Sequence, residues 1–271
     1  MEEVTSRFAQ WLLASAKNSP YAWSAVGLTF LIGIQAALAV LVLHGDEATV
    51  RRQLGPLRRI GVDKSNVPHQ KDPITKISQD TATKKIPIDQ LASVSPIKSC
   101  APINLNQNEF PDTRQKYDGI YMIAVESNQL DDNGYTIWKS LDRQTKPAIR
   151  KIETELWIPR EKADGNDPLV KAGGCIFMSF PDPAVPSWLG QLAGYTKGWI
   201  KAPQVTCILP LHLTPADVGE HKIKLRPFKI DGENGKGLDM ESLPVVSDIL
   251  PRLKMFLGYS DRQGLTLFKP A

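Results

Sequence analysis

The stretch KIETELWI, residues 151–158, alternates along its whole length. Ile152, Thr154, Leu156 and Ile158 fall on one side, and Lys151, Glu153 and Glu155 on the other. Successive side chains of a strand point to opposite faces, so this segment predicts a β-strand with one side on a core. The surrounding sequence repeats the signal. GCIFMSF (174–180) is a short apolar run and reads as a strand buried on both faces. VTCILPLHL (205–213) alternates again, with Val205, Cys207, Leu209, Leu211 and Leu213 on one face, and Pro210 marks an edge or a bulge. HKIKLRPFKI (221–230) predicts Ile223 and Leu225 inward and Lys222, Lys224 and Arg226 outward. IYMIAV (120–125) and Tyr135 to Trp138 add two more candidates, the second after the turn 131–134.

Turn residues cluster at 163–166 and 231–235. A helix is expected from about Leu243 to Tyr259, and a short one near Ser187 to Leu192. Residues 117–271 are enough for one compact core. The fold class expected for them is mainly β, an antiparallel sandwich-like domain with one or two helices.

Upstream, the character changes. Residues 45–116 hold seven prolines, and Phe110 is their sole aromatic residue. Such a stretch buries little apolar surface by itself and reads as an extended tether. As a loose coil its 72 residues would span about 45–50 Å. The apolar patches Ile86-Pro87-Ile88 and Leu91-Ala92-Ser93-Val94 are candidate docking segments within it.

Further upstream lies PYAWSAVGLTFLIGIQAALAVLVL, Pro20 to Leu43, which has 24 residues and no charge. As a helix it would be about 36 Å long, enough for a bilayer core of about 30 Å. It is too long for the apolar part of a cleaved signal, and no small-residue cleavage site follows it. Residues 20–44 are therefore expected to form one transmembrane helix. Ala25, Thr29, Gly33 and Ala37 make a stripe of small side chains, and Gln35 is polar near the membrane centre. Both features suit contact with a second helix. The tail 1–19 puts Phe8, Trp11, Leu12 and Leu13 on one helical side and could lie on the membrane surface.

The net charge of +4 sits entirely in residues 1–116, which hold 14 Lys and Arg against 10 Asp and Glu. Residues 117–271 are balanced at 19 each, which argues against nucleic acid as a partner. Arg51, Arg52, Arg58 and Arg59 follow the apolar run and are candidates for lipid headgroup contact. Counted by the positive-inside rule they favour a cytoplasmic C-terminal side. A long tether favours the opposite, a domain standing off the inner membrane in the periplasm, and on that ground the extracytoplasmic placement is expected.

Chemistry is sparse. Cys175 and Cys207 fall in two predicted strands and form a possible disulfide, with Cys100 left over. No C-x-x-C occurs, and the four histidines lack metal-ligand spacing. Ser95-Pro96-Ile97-Lys98 matches an S-x-x-K tetrad without its companion motifs, and DGENGKGLD (231–239) reads as a loop rather than a phosphate cradle. Trp188, Tyr195 and Trp199 sit among prolines and glycines and are candidates for partner or glycan contact. No cofactor, metal or catalytic residue is expected. The leading expectation is a membrane-anchored scaffold subunit of an envelope assembly of secretion, conjugation or pilus type, contacting other subunits through its transmembrane helix and tether. An anchored binding module for glycan or protein, and a cytoplasm-facing accessory subunit, are the alternatives.

Overall fold

A computed structural model describes residues 27–28, 30–31, 48–61, 91–106, 110–130, 134, 136–185, 203–230 and 233–270. The chain divides into two compact units, Met1–Ala48 and Thr49–Ala271. In the first, Gly27, Leu28, Phe30 and Leu31 are helical, and Leu28, Phe30 and Leu31 are exposed. Among the described residues no helix is long and apolar enough to cross a membrane. The proposed contact residues Ala25, Thr29, Gly33, Gln35 and Ala37 lie outside the described residues, as do Trp188, Tyr195 and Trp199 and the short helix expected near them.

The second unit is mainly β. One sheet has four antiparallel strands in the order β1 (Leu57–Ile60), β6 (Glu153–Pro159), β7 (Cys175–Pro181), β8 (Gln204–Pro210). β2 (Leu91–Val94) and β3 (Ile103–Asn106) form an antiparallel pair. Five strands close a barrel: β4 (Met122–Leu130), β5 (Thr136–Ser140), β9 (Lys224–Ile230), β10 (Glu233–Asp239) and β11 (Leu265–Pro270). All barrel neighbours are antiparallel except β5 and β9, which run parallel. The expected sandwich is thus a closed barrel packed with an open sheet. A parallel pair needs a long crossover, and here β6, β7 and β8 lie between its two strands in the chain.

The central prediction holds: Ile152, Thr154 and Leu156 are buried, while β7 is buried on both faces and is an inner strand of its sheet. β8 buries Val205, Cys207 and Leu209 and lies at the sheet edge, where Pro210 needs no partner for its missing N–H. One large apolar cluster joins this sheet face (Leu156, Ile176, Met178) to barrel residues Ile123 and Leu267 and to Tyr121, which precedes β4. The Tyr121 hydroxyl donates to the Pro210 carbonyl at 2.6 Å across that junction. Inside the barrel, Met122, Ala124, Trp138, Phe228 and Phe268 form a separate cluster. Phe228 stacks on Phe268 at 4.7 Å, and Trp138 tilts against it at 5.5 Å.

Two glycines are required by this packing. Gly174 has φ +112°, and a Cβ there would lie 2.2 Å from the Trp157 carbonyl oxygen. Gly237 faces Phe268, whose ring would meet a Cβ at 3.0 Å. Gly237 belongs to ENGKGLD, read from sequence as a loop and found as strand β10. Small residues there leave the barrel interior to the aromatic rings of other strands.

The short helices are α1 (Phe110–Tyr117), α2 (Pro168–Lys171), α3 (Pro215–Glu220), α4 (Pro244–Ser247) and α5 (Leu250–Leu257). The helix expected over 243–259 is split into α4 and α5. Pro251 has no N–H to bond the Ser247 carbonyl, and its ring would crowd that carbonyl.

Two further expectations are corrected. Residues 45–116 are not one tether, because residues 49–61, 91–106 and 110–116 belong to the folded unit. Leu57, Val94, Ile97, Cys100 and Leu105 are all almost wholly buried. Their apolar side chains are few but are placed against strands far along the chain, so no local period announces them. Of the faces expected for 221–230, Ile223 is buried and Lys222 and Lys224 are exposed, but Leu225 is 52% exposed and Arg226 reaches a buried carboxylate.

Candidate functional site

Residues 48–53 are helical and are followed at once by a turn and β1. Leu54 and Leu57 pack with Cys175, Phe177 and Ile208 on the outer face of the four-stranded sheet. This covers the side of β6 opposite Ile152 and Leu156. Trp157 lies there too and donates its indole N–H to Glu155 at 3.0 Å.

The four arginines of this segment divide into two pairs. Arg51 donates to Glu155 at 3.4 Å and lies 4.6 Å over the Phe177 ring, and Arg59 pairs with the same carboxylate at 3.8 Å. Arg52 and Arg58 are exposed and make no ion pair among the described residues. A fifth arginine joins them from the end of β6. Arg160 donates from Nε to the Leu57 carbonyl at 2.8 Å, its backbone N–H donates to Pro56, and the residue is exposed. Lys162 follows, also exposed. Arg160 lies 101 positions from Arg59, so only the β1–β6 pairing reveals that it belongs to this group.

Two clefts include barrel residues. One, of about 690 Å³, is lined by Glu126, Thr136, Trp138, Lys224, Leu225, Arg226 and Pro227. Arg226 is held by Asp239, Nε to Oδ2 at 2.9 Å, and its guanidinium lies 5.7 Å from the Trp138 ring. Asp239 is 2% exposed and also accepts from the Thr266 hydroxyl at 2.8 Å and the Glu241 N–H at 3.0 Å. A buried carboxylate with three donors fixes its arginine in place.

The other cleft, of about 760 Å³, is lined by Ser95, Lys98, Ser99, Asp118, Gly119, Met122, Asp142, Arg143 and Gln144. It contains both ends of the S-x-x-K tetrad. Its polar groups largely serve the fold. Asp118 accepts from the Ser95 N–H at 2.8 Å, and Asp142 accepts from the N–H groups of Gln144 and Thr145, which lowers its pKa. Arg143 bonds the carbonyls of Ser99 and Cys100 at 2.9 and 2.7 Å, holding Ser99 at φ +68°.

The expected Cys175–Cys207 disulfide is ruled out by register. Cys175 is opposite Pro210 and Cys207 is opposite Met178. The two sulfurs thus sit three residues apart along the ladder, about 10 Å, and on opposite sheet faces. A disulfide needs Cα atoms within about 7 Å. All three cysteines are free and buried. Burial raises the Cys175 thiol to about 12, with Asp167 adding to it. Cys100 and Cys207 are pushed up further by the same cause. Among the described residues no group of three or more His, Cys, Asp or Glu is placed to hold a metal ion.

No family model, curated protein or solved structure matches this chain.

Proposed function

We propose that this chain is a single-pass membrane-anchored interaction subunit whose folded unit faces the cytoplasm and works by binding rather than catalysis. The observation that carries the reading is the packing of Leu54 and Leu57 into the folded unit. It leaves only His44 to Glu47 between the uncharged run and the helical residues 48–53. The argument for a stand-off domain outside the cell membrane falls with the tether. The arginines within 16 residues of Leu43 then favour a cytoplasmic C-terminal side by the positive-inside rule. Three buried free thiols suit a reducing compartment. The exposed Leu28, Phe30 and Leu31 and the small-residue stripe suit a helix among lipids and other helices.

The test is a pair of C-terminal reporter fusions, one active only in the cytoplasm and one only outside. Activity of the cytoplasmic reporter is expected. Activity of the outer one overturns the orientation, and recovery of the chain from the aqueous fraction without detergent overturns the anchor. Gly33→Leu is expected to release the chain from a detergent-stable complex, and unchanged co-purification removes the helix-contact part. The cleft holding Trp138 and Arg226 favours a second reading, an anchored module that binds a small ligand.

A further inference from the structure

We infer that the cleft holding Trp138 and Arg226 binds a short free peptide, of two or three residues, by both of its charged termini. The inference rests on the second reading above, that this cleft takes a small ligand, and not on the membrane anchor. The strand registers bring the binding groups together. Glu126 stands opposite Trp138, and Trp138 opposite Phe228. Opposed residues share a face and successive residues alternate. Glu126, Trp138, Arg226 and Lys224 therefore lie on the inward side of the barrel, where Trp138 and Phe228 pack with Phe268. Asp239, the partner of Lys224 in the ladder, is buried on that same side. Arg226 and Lys224 precede Phe228 by two and four residues, so they stand above the aromatic floor.

Some of the charges there are already used. Arg226 is held by Asp239 and has Glu241 at 3.8 Å. The side chains of Glu126 and Lys224, in contrast, make no hydrogen bond or ion pair among the described residues. The Glu126 carboxylate is folded over Gly264, where a Cβ would lie 2.6 Å from its Oε2 and 2.9 Å from Trp138 Cη2. Glycine thus leaves the carboxylate beside the indole edge, the positive side of the ring quadrupole. One wall of the cleft offers an unpaired carboxylate, and the other offers an unpaired ammonium and a fixed guanidinium. A simple anion would meet Glu126, and a simple cation would meet Lys224 and Arg226. A ligand carrying both charges satisfies both walls. Across two strand spacings, and two to four residues along β9, the Cα atoms of Glu126 and the two cations are about 12–16 Å apart. That separation suits the termini of two extended residues, about 7 Å long, better than those of a single amino acid. Leu225 and Pro227 line the cleft between the charges and can cover apolar side chains. Its volume of about 690 Å³ is in the range of small-ligand sites.

The experiment titrates the full chain in detergent, by calorimetry, with four forms of one dipeptide: dileucine, N-acetyl-dileucine, dileucine amide and N-acetyl-dileucine amide. Their apolar bodies match and their terminal charges differ. Benzamide, benzoate and benzylamine are titrated alongside. Dileucine is expected to bind best, and each cap to weaken it about tenfold, the size of one hydrogen bond to a charged group. Glu126→Gln should remove the penalty of the acetyl cap alone, and Lys224→Gln should reduce that of the amide cap alone. Arg226 is left unchanged because it serves the fold through Asp239. The four forms on the parent chain decide the matter by themselves if a variant does not fold. Equal binding of all four forms overturns the inference, and so does a preference for a capped form over dileucine; both leave a small-ligand cleft standing. Cap penalties that persist in both variants place the peptide elsewhere and overturn it too. Binding of an aromatic probe with no dipeptide form bound overturns the inference and leaves the second reading in place. Binding of none of the seven compounds at millimolar concentration removes both.

Discussion

Leu57→Ala separates a folded N-terminal segment from a tether. Leu57 is 0% exposed and packs with Leu54, Cys175, Phe177 and Ile208. Buried Leu→Ala changes cost about 2.7–5 kcal/mol, the lower end applying where neighbours can close the gap. This cluster is small and lies under one helical segment, so about 3 kcal/mol is the appropriate size. For a folded unit of this length each kcal/mol lowers Tm by about 2–4 °C, which gives a fall of about 6–12 °C. The assay is thermal unfolding of the detergent-solubilised chain, followed by tryptophan fluorescence, with alkylation of Cys175 as a second readout. The Cys175 thiol, raised to about 12 and buried in the same cluster, should react slowly in the parent and faster in the variant. Arg58→Ala, on the exposed side of the same strand, is the control and should change stability by less than about 0.5 kcal/mol. A Leu57→Ala chain that unfolds with the parent, its Cys175 still protected, would refute the packing of β1.

Three other outcomes follow from single observations. Gly174→Ala should be more damaging than Leu57→Ala and fail to accumulate as folded protein in the detergent extract, since it combines a left-handed φ with a backbone clash at 2.2 Å; expression with an unchanged Tm would contradict it. Asp239→Ala should cost about 2–3 kcal/mol, below the value for a fully buried pair because Arg226 is one-third exposed, and is read as a denaturant midpoint shift at constant m. His212 is held below its ordinary pKa by burial first, then by Lys269 and Lys116. The unfolded chain therefore takes up the proton first as pH falls, and the contribution is present above about pH 6.5 and lost below it. The fall in Tm between pH 7.5 and 5.5 should be slightly smaller in His212→Gln, and an equal fall in both removes the effect.

The strands that alternate, β6 and β8, and the apolar β7 were legible because their burial is periodic or continuous within a few residues. β1, β2 and β10 were not. LRRI presents two arginines in four positions, and its burial comes from β6 and the outer cluster. ENGKGLD has Leu238 as its single large apolar residue and is a strand because Phe228 and Phe268 fill the space its glycines leave. The positions of Leu225 and Arg226 in β9 are hidden in the sequence for a related reason. The barrel interior has a charged end, where Asp239 pairs with Arg226, so the charged residue points inward and Leu225 outward. Of the arginine group four members adjoin in sequence, and Arg160 is added by the fold alone.

The pairing of β1 with β6 also sets a clock for synthesis. Ile60 leaves the ribosome 93 residues before Glu153, and at about 5–20 residues per second the wait is about 5–19 s. Throughout that interval Leu54 and Leu57 have no sheet to cover them, beside a hydrophobic run already emerging. A nascent chain in that condition needs a chaperone or the insertion machinery at its side. Depleting either during translation should be felt by this protein sooner than by one whose first strand pairs with its second.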